Sequence, residues 1–116
     1  FGRPFGGTAM LINKSLASIT VNLVTAERYT AVSIADWLMV NVYMPAAGTS
    51  NRQLLYSDLM NELTTLINSH PDKKCLIGGD LNVALDSVNP FSVLANEFVN
   101  ANRLCLLDQL FPTGYS

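Results

Sequence analysis

The chain has 116 residues, 49% of them hydrophobic and 14% charged, with a formal net charge of −2. That length supports one small domain with a real core, and the apolar-rich, charge-poor balance excludes an intrinsically disordered segment. Its seven basic residues, Arg3, Lys14, Arg28, Arg52, Lys73, Lys74 and Arg103, are scattered, which excludes a free-standing nucleic-acid binder acting through a basic patch.

In chain order, Gly6 to Asn13 reads as a strand whose nearly all-apolar centre, Thr8 to Ile12, would be buried on both faces. Lys14-Ser15 reads as a turn. Ser18 to Val24 alternates, with Ile19, Val21 and Leu23 on one face and Thr20 and Asn22 on the other. Glu27-Arg28 turns the chain into a second alternating strand, Tyr29 to Ile34. Ala35-Asp36 makes a tight connection to a longer strand, Trp37 to Tyr43. Short connections between half-buried strands imply an antiparallel meander. Pro45 ends it, because proline cannot donate to a ladder.

Ser50-Asn51-Arg52-Gln53 has the form of a capping box with Ser50 as N-cap. The helix that follows shows Leu55, Leu59, Leu63, Leu66 and Ile67 on one face and ends near Ser69, before Pro71. A short strand begins at Cys75. Asn89 as cap with Pro90 at the first helical position starts a second helix, with Phe91, Leu94, Ala95, Phe98 and Val99 on its apolar face. Leu104 to Leu107 is a further apolar run. The expected architecture is an α/β layered domain, one sheet with its helices on one side. No apolar run approaches the ~20 residues of a membrane span, so no membrane partner is expected. Cys75 and Cys105 lie in apolar runs without a C-x-x-C neighbour and read as two buried thiols of a reducing compartment.

The stretch richest in chemistry is Cys75-Leu76-Ile77-Gly78-Gly79-Asp80-Leu81-Asn82. An apolar strand meets two glycines, which let other groups approach the backbone closely. Asp80 and Asn82 follow, two apart, so in an extended segment they emerge on one side, at the strand end where open α/β folds place ligands. A carboxylate can hold a hard cation, orient a water or take its proton, and an amide can donate to a charged phosphoryl oxygen. The competing reading is an ordinary turn, which both residues favour. An EF-hand starting at Asp80 fails, because Ala84, Leu85 and Phe91 occupy ligand, glycine and glutamate positions. A nucleotide-binding reading fails for want of a G-x-x-x-x-G-K-[ST] partner.

Three segments occur in order: Gly2-Arg3-Pro4-Phe5-Gly6-Gly7-Thr8-Ala9-Met10-Leu11, Val40-Asn41-Val42-Tyr43-Met44-Pro45 and Leu76 to Asn82. Together they resemble the endonuclease/exonuclease/phosphatase family, and the G-R-P-x-G-G opening resembles the endonuclease domain of LINE-type retrotransposons. The resemblance spans nearly the whole chain. It implies part of a four-layer α/β sandwich with mainly antiparallel strands, lacking sequence on both sides and so about half of its own domain. It implies a Mg2+-dependent phosphodiesterase that nicks DNA, intracellular and nuclear in the parent protein. In that family the positions matching Asp80, Asn82 and Tyr43 handle the attacking water, the developing charge and the phosphate. A phosphatase or sphingomyelinase branch, or an incomplete remnant without activity, are the alternatives.

Other polar residues read as structural. Asn41, two before Tyr43, is expected to be half-buried and hydrogen-bonded. His70 is a helix-end residue and does not match the family's Ser-Asp-His motif. Glu27, Glu62 and Glu97 are expected to be solvated, and the family's metal-binding glutamate lies in a Gln-Glu motif upstream of the glycine-rich opening. Asp86 and Asp108 read as turn residues. Ala46 departs from the asparagine that abasic-site endonucleases of the family carry after Tyr-x-Pro.

Overall fold

The structure, a computed structural model, describes residues 7–107. It forms a small α+β unit. A six-residue 3-10 helix, Lys14–Ile19, leads into β1 (Thr20–Thr25), β2 (Tyr29–Ile34) and β3 (Trp37–Tyr43). Helix α1 (Arg52–Asn68) crosses over to β4 (Lys74–Asp80), and α2 (Pro90–Ala101) follows. The sheet order is β1-β2-β3-β4, with β1–β2 and β2–β3 antiparallel and β3–β4 parallel. The mixed sheet follows from the connections. Two-to-three-residue turns can only reverse a strand, whereas the α1 crossover returns the chain to run alongside β3.

One face of the sheet carries Tyr29, Ala31, Leu38, Val40 and Val42. These pack with Tyr56, Leu59, Met60 and Leu63 of α1 and Ala95 and Phe98 of α2 into one buried cluster. Both helices therefore cover the same face, as the amphipathic patterns required. The opposite face presents the alternate residues, among them Trp37, Met39 and Tyr43 of β3 and Leu76 of β4. Trp37 and Leu76 are about four-tenths exposed.

The bounds of β2 and β3 match the alternation that predicts them, and α2 starts as its signals require. The Asn89 side chain accepts from the backbone N–H groups of Phe91 and Ser92, and Ser92 Oγ accepts from Asn89 N in return. Other expectations are corrected. The strand expected over 6–13 is not formed at the described residues 7–13, and Leu11 is 98% exposed. Instead Thr8 Oγ1 meets Thr30 Oγ1 at 2.6 Å and Asn41 Nδ2 donates to Ala9 O at 2.9 Å. The segment thus reaches the helix-free face through side chains, and without a ladder partner its apolar residues have nothing to align them. Lys14-Ser15 opens the 3-10 helix rather than a turn, because Asn13 Oδ1 accepts from Ser15 N. β1 therefore begins at Thr20. Its alternation breaks at a bulge between Asn22 and Val24, so Leu23 and Val24 are both half-buried and Val21 is exposed.

The capping box at Ser50 does not form. Asn51 is the N-cap, in the left-handed region (φ 54), with no side-chain cap bond. The buried face of α1 is Tyr56, Leu59, Met60 and Leu63, with Leu66 and Ile67 partly buried against the same core. Of the two thiols expected to be buried, Cys75 is half-buried and Cys105 is exposed, since burial alternates along 104–107 and Leu104, not Cys105, packs against the core. Burial pushes the Cys75 thiol up, keeping it protonated and a weak nucleophile at neutral pH.

The two glycines of β4 differ in kind. Gly79 has φ 123, and a Cβ there would overlap the carbonyl oxygen of Val42 and lie 2.8 Å from its nitrogen. A Cβ on Gly78 meets nothing within 4 Å. Gly79→Ala is therefore expected to destabilise the fold by more than about 2 kcal/mol, from backbone strain plus a clash with an immovable main chain. Gly78→Ala is expected to stay within about 0.5 kcal/mol of the parent. Thermal melting of the two variants side by side checks this; equal shifts would contradict it.

Candidate functional site

The carboxyl ends of β3 and β4 lie side by side, with Tyr43 in register with Asp80. Parallel neighbours are spaced by about 4.8 Å, so the phenol and the carboxylate rise from adjacent positions on the helix-free face. The pairing continues one step beyond the strands, where Met44 N donates to Asp80 O at 2.9 Å. The chain then turns sharply. Asn82 sits in the left-handed region (φ 53), where asparagine is better tolerated than most residues, and its N–H donates to Asp80 Oδ1 at 2.8 Å. The Asn82 side chain swings back to donate to Met44 O at 2.6 Å.

Tyr43 and Asp80 are thus neighbours across the β3–β4 ladder, and Asn82 is tied to Asp80 and to Met44 O. Asp80 and Asn82 do form a turn, and the turn uses one carboxylate oxygen and one amide hydrogen. Among the described residues the second carboxylate oxygen and the second amide hydrogen carry no hydrogen bond. Asp80 and Tyr43 are exposed and Asn82 is half-buried.

Three residues missed by sequence reasoning hold this turn from beneath. Arg52 Nε donates to Pro45 O at 2.9 Å and Arg52 Nη2 to Asn82 O at 2.8 Å, tying the loop after β3 to the loop after β4. Its guanidinium stacks on Phe91, 3.9 Å from the ring centroid, and Phe91 meets Tyr56 edge-on at 5.3 Å. Tyr56 OH donates to Leu81 O at 2.8 Å. A signal for Arg52 exists in the sequence. It opens α1, where the helix dipole disfavours a cation, and α1 has no acidic residue in its first turn. A cation at that position needs carbonyls elsewhere, and Arg52 finds two.

The remaining candidates fall outside this cluster. Asn41 spends its amide on Ala9 O. His70 lies at the end of α1 with Nδ1 3.0 Å from Leu66 O. Glu27, Glu62, Glu97 and Asp86 are exposed. Asp108 and Gly2 to Gly6 lie outside the described residues.

The described residues do not fit a magnesium site. They bring together no group of three His, Cys, Asp or Glu side chains that could hold an ion, and Asp80 stands as a single carboxylate with one oxygen engaged. No helix among the described residues is long and apolar enough to cross a membrane. No protein-family model matches the chain, and no curated protein matches it significantly.

Burial pushes the Tyr56 phenol up to about 12; the Asp80 charge adds to this and the Arg52 cation opposes it. The phenol therefore stays a donor to Leu81 O throughout the neutral range. Below pH 10 the phenol is protonated both folded and unfolded, so its contribution is fully present. Between pH 10 and about 12 the unfolded chain ionises first, and that contribution is lost. Tyr56→Phe is expected to cost about 1 kcal/mol at pH 7 through the lost hydrogen bond, and to show a shallower fall in stability over pH 10–12. Denaturant melts across that range check both effects.

Proposed function

We propose that this chain is part of a phosphodiesterase domain of the endonuclease/exonuclease/phosphatase type that nicks DNA, as its resemblance to LINE-type endonuclease domains implies. The observation that carries the reading is the meeting of Tyr43, Asp80 and Asn82 at the carboxyl ends of two parallel strands. Tyr43 and Asp80 are exposed there, and Asn82 is half-buried. In this reading the free Asp80 oxygen orients the attacking water and takes its proton, and the free Asn82 N–H donates to a phosphoryl oxygen as charge develops on it. The Tyr43 hydroxyl holds the phosphate. The sheet would be one of two in a four-layer sandwich, with the second packed on the Trp37–Leu76 face. The parent protein would act on nuclear DNA. Magnesium belongs to the reading through the family alone; its ligands would come from outside the described residues.

The test separates catalysis from folding. The 116-residue chain alone is expected to nick supercoiled plasmid poorly, because neither a matching metal glutamate nor a matching histidine is present. The chain extended by its flanking gene sequence is expected to nick. In that extended form Asp80→Asn should lower the rate by about 10²–10³-fold with little change in melting, since asparagine can still accept from Asn82 N. Asn82→Gly keeps the left-handed backbone but loses the amide and its bond to Met44 O, so it should lower the rate alike and also cost about 1 kcal/mol of stability, whereas Asn82→Ala adds about 1 kcal/mol of backbone strain to that. Ile77→Asp should unfold the domain, by placing an unpaired charge against the core. If Asp80→Asn melts the protein as Ile77→Asp does, the pair is only a turn and the reading fails.

A further inference from the structure

β4 is an edge strand of the sheet, as β1 is on the other side. β4 is seven residues long and terminal in the sheet, and among the described residues its outer side pairs with no strand. Edge strands are normally blunted by proline, bulges or central charges. β4 carries none of these; its only charges are Lys74 at one end and Asp80 at the other. Along its helix side runs an apolar groove of about 670 Å3, bounded by Cys75 and Ile77 on β4, Leu81 just beyond it, Phe98 on α2, and Leu104 and Leu106.

The backbone shows which groups face out. Lys74 N donates to Asp36 O, and Asp80 O accepts from Met44 N. Lys74 and Asp80 thus direct these groups toward β3. By alternation Cys75 and Ile77 direct theirs outward, unpaired among the described residues.

From this edge we infer that the chain forms a twofold homodimer by antiparallel pairing of β4 with β4 of a second copy. The charge pattern selects the occupant and the register. A twofold centred on Ile77 places Ile77 opposite Ile77 of the other copy, so outward backbone groups meet outward backbone groups. The same register sets each Lys74 opposite an Asp80, giving two complementary cross-strand pairs from a single sequence. It also sets Leu76, which is 38% exposed, opposite Gly78, where a Cβ would find only open space. Ile77 and Cys75 of each copy then extend toward the apolar groove of the other. The product is a continuous eight-stranded sheet, an isologous form of strand addition. This inference concerns the chain by itself and stands apart from the nuclease reading, because its readout is association and not cleavage.

Two measurements test it. The first is amide hydrogen exchange of the wild-type chain at low and high protein concentration. The Cys75 and Ile77 N–H groups are expected to exchange fast when dilute and to become protected on concentration, in parallel with a dimer mass by light scattering. Fast exchange at every concentration would overturn the proposal. So would protection that does not vary with concentration, which would mean that the chain covers its own edge. The second is a charge cycle followed by sedimentation, with melting as a folding control. Lys74→Asp alone and Asp80→Lys alone each place like charges opposite one another, and each is expected to weaken dimerisation by roughly tenfold or more. The double variant K74D/D80K restores the pairing and should return to within a few-fold of wild type. A double variant as weak as the singles, with its fold intact, overturns the register; dimers untouched by either single change overturn the edge itself.

Discussion

The close approach of β4 to β3 at Gly79 and Val42 is the constraint on which the rest of the molecule depends. A left-handed residue without a side chain lets the last turn of β4 press against the main chain of Val42. Only then can Tyr43 and Asp80 stand in register and the Met44 N–H reach Asp80 O. That bond fixes where the chain leaves the sheet. It thereby fixes the left-handed Asn82 and the carbonyls that Arg52 and Tyr56 grasp. A polar cluster at a strand end is costly unless its groups are satisfied. Among the described residues no buried side-chain nitrogen or oxygen lacks a partner.

Stacking and hydrogen bonding are joined at Arg52. A guanidinium with two carbonyl partners and an aromatic face beneath it is held in one plane, so two loops separated by 37 positions (Pro45 and Asn82) move as a unit. Lysine, with a point charge and no plane, cannot reproduce that geometry. The turn at Asp80 and Asn82 is thus rigid from below and open from above, as a site needs if its groups are to be preorganised.

Much of this was legible in the residues. The alternation in 29–34 and 37–43 gave the strands because each has one face to bury, and Asn89-Pro90 gave the start of α2 because the cap chemistry is local. The apolar run at Cys75 and the glycine pair located the strand end, where Tyr43 stands in register with Asp80. What escaped is non-local. Thr8 to Ile12 has strand composition but no ladder partner among the described residues, and composition does not reveal partners. Ser50 offered cap chemistry one residue too early, because Asn51 adopts the left-handed conformation and starts the helix itself. The parallel direction of β4 follows from the crossover rather than from β4's own residues. Arg52, Tyr56 and Phe91 come from two different helices, and their convergence depends on the packing of α1 against α2.

The crossover also sets an order in time. Trp37 and Lys74 pair across 37 positions, whereas β1, β2 and β3 meet their neighbours through turns of two or three residues. Loop closure over the longer span carries the larger entropic cost, and local hairpins form faster. As the chain emerges from its N-terminal side, the meander can form before α1 is free to pack on it, with Leu38, Val40 and Val42 bare to solvent. A nascent chain of this kind passes through a stage in which its stickiest surface is finished before the helices that cover it are in place, the stage at which association with other chains competes most with folding.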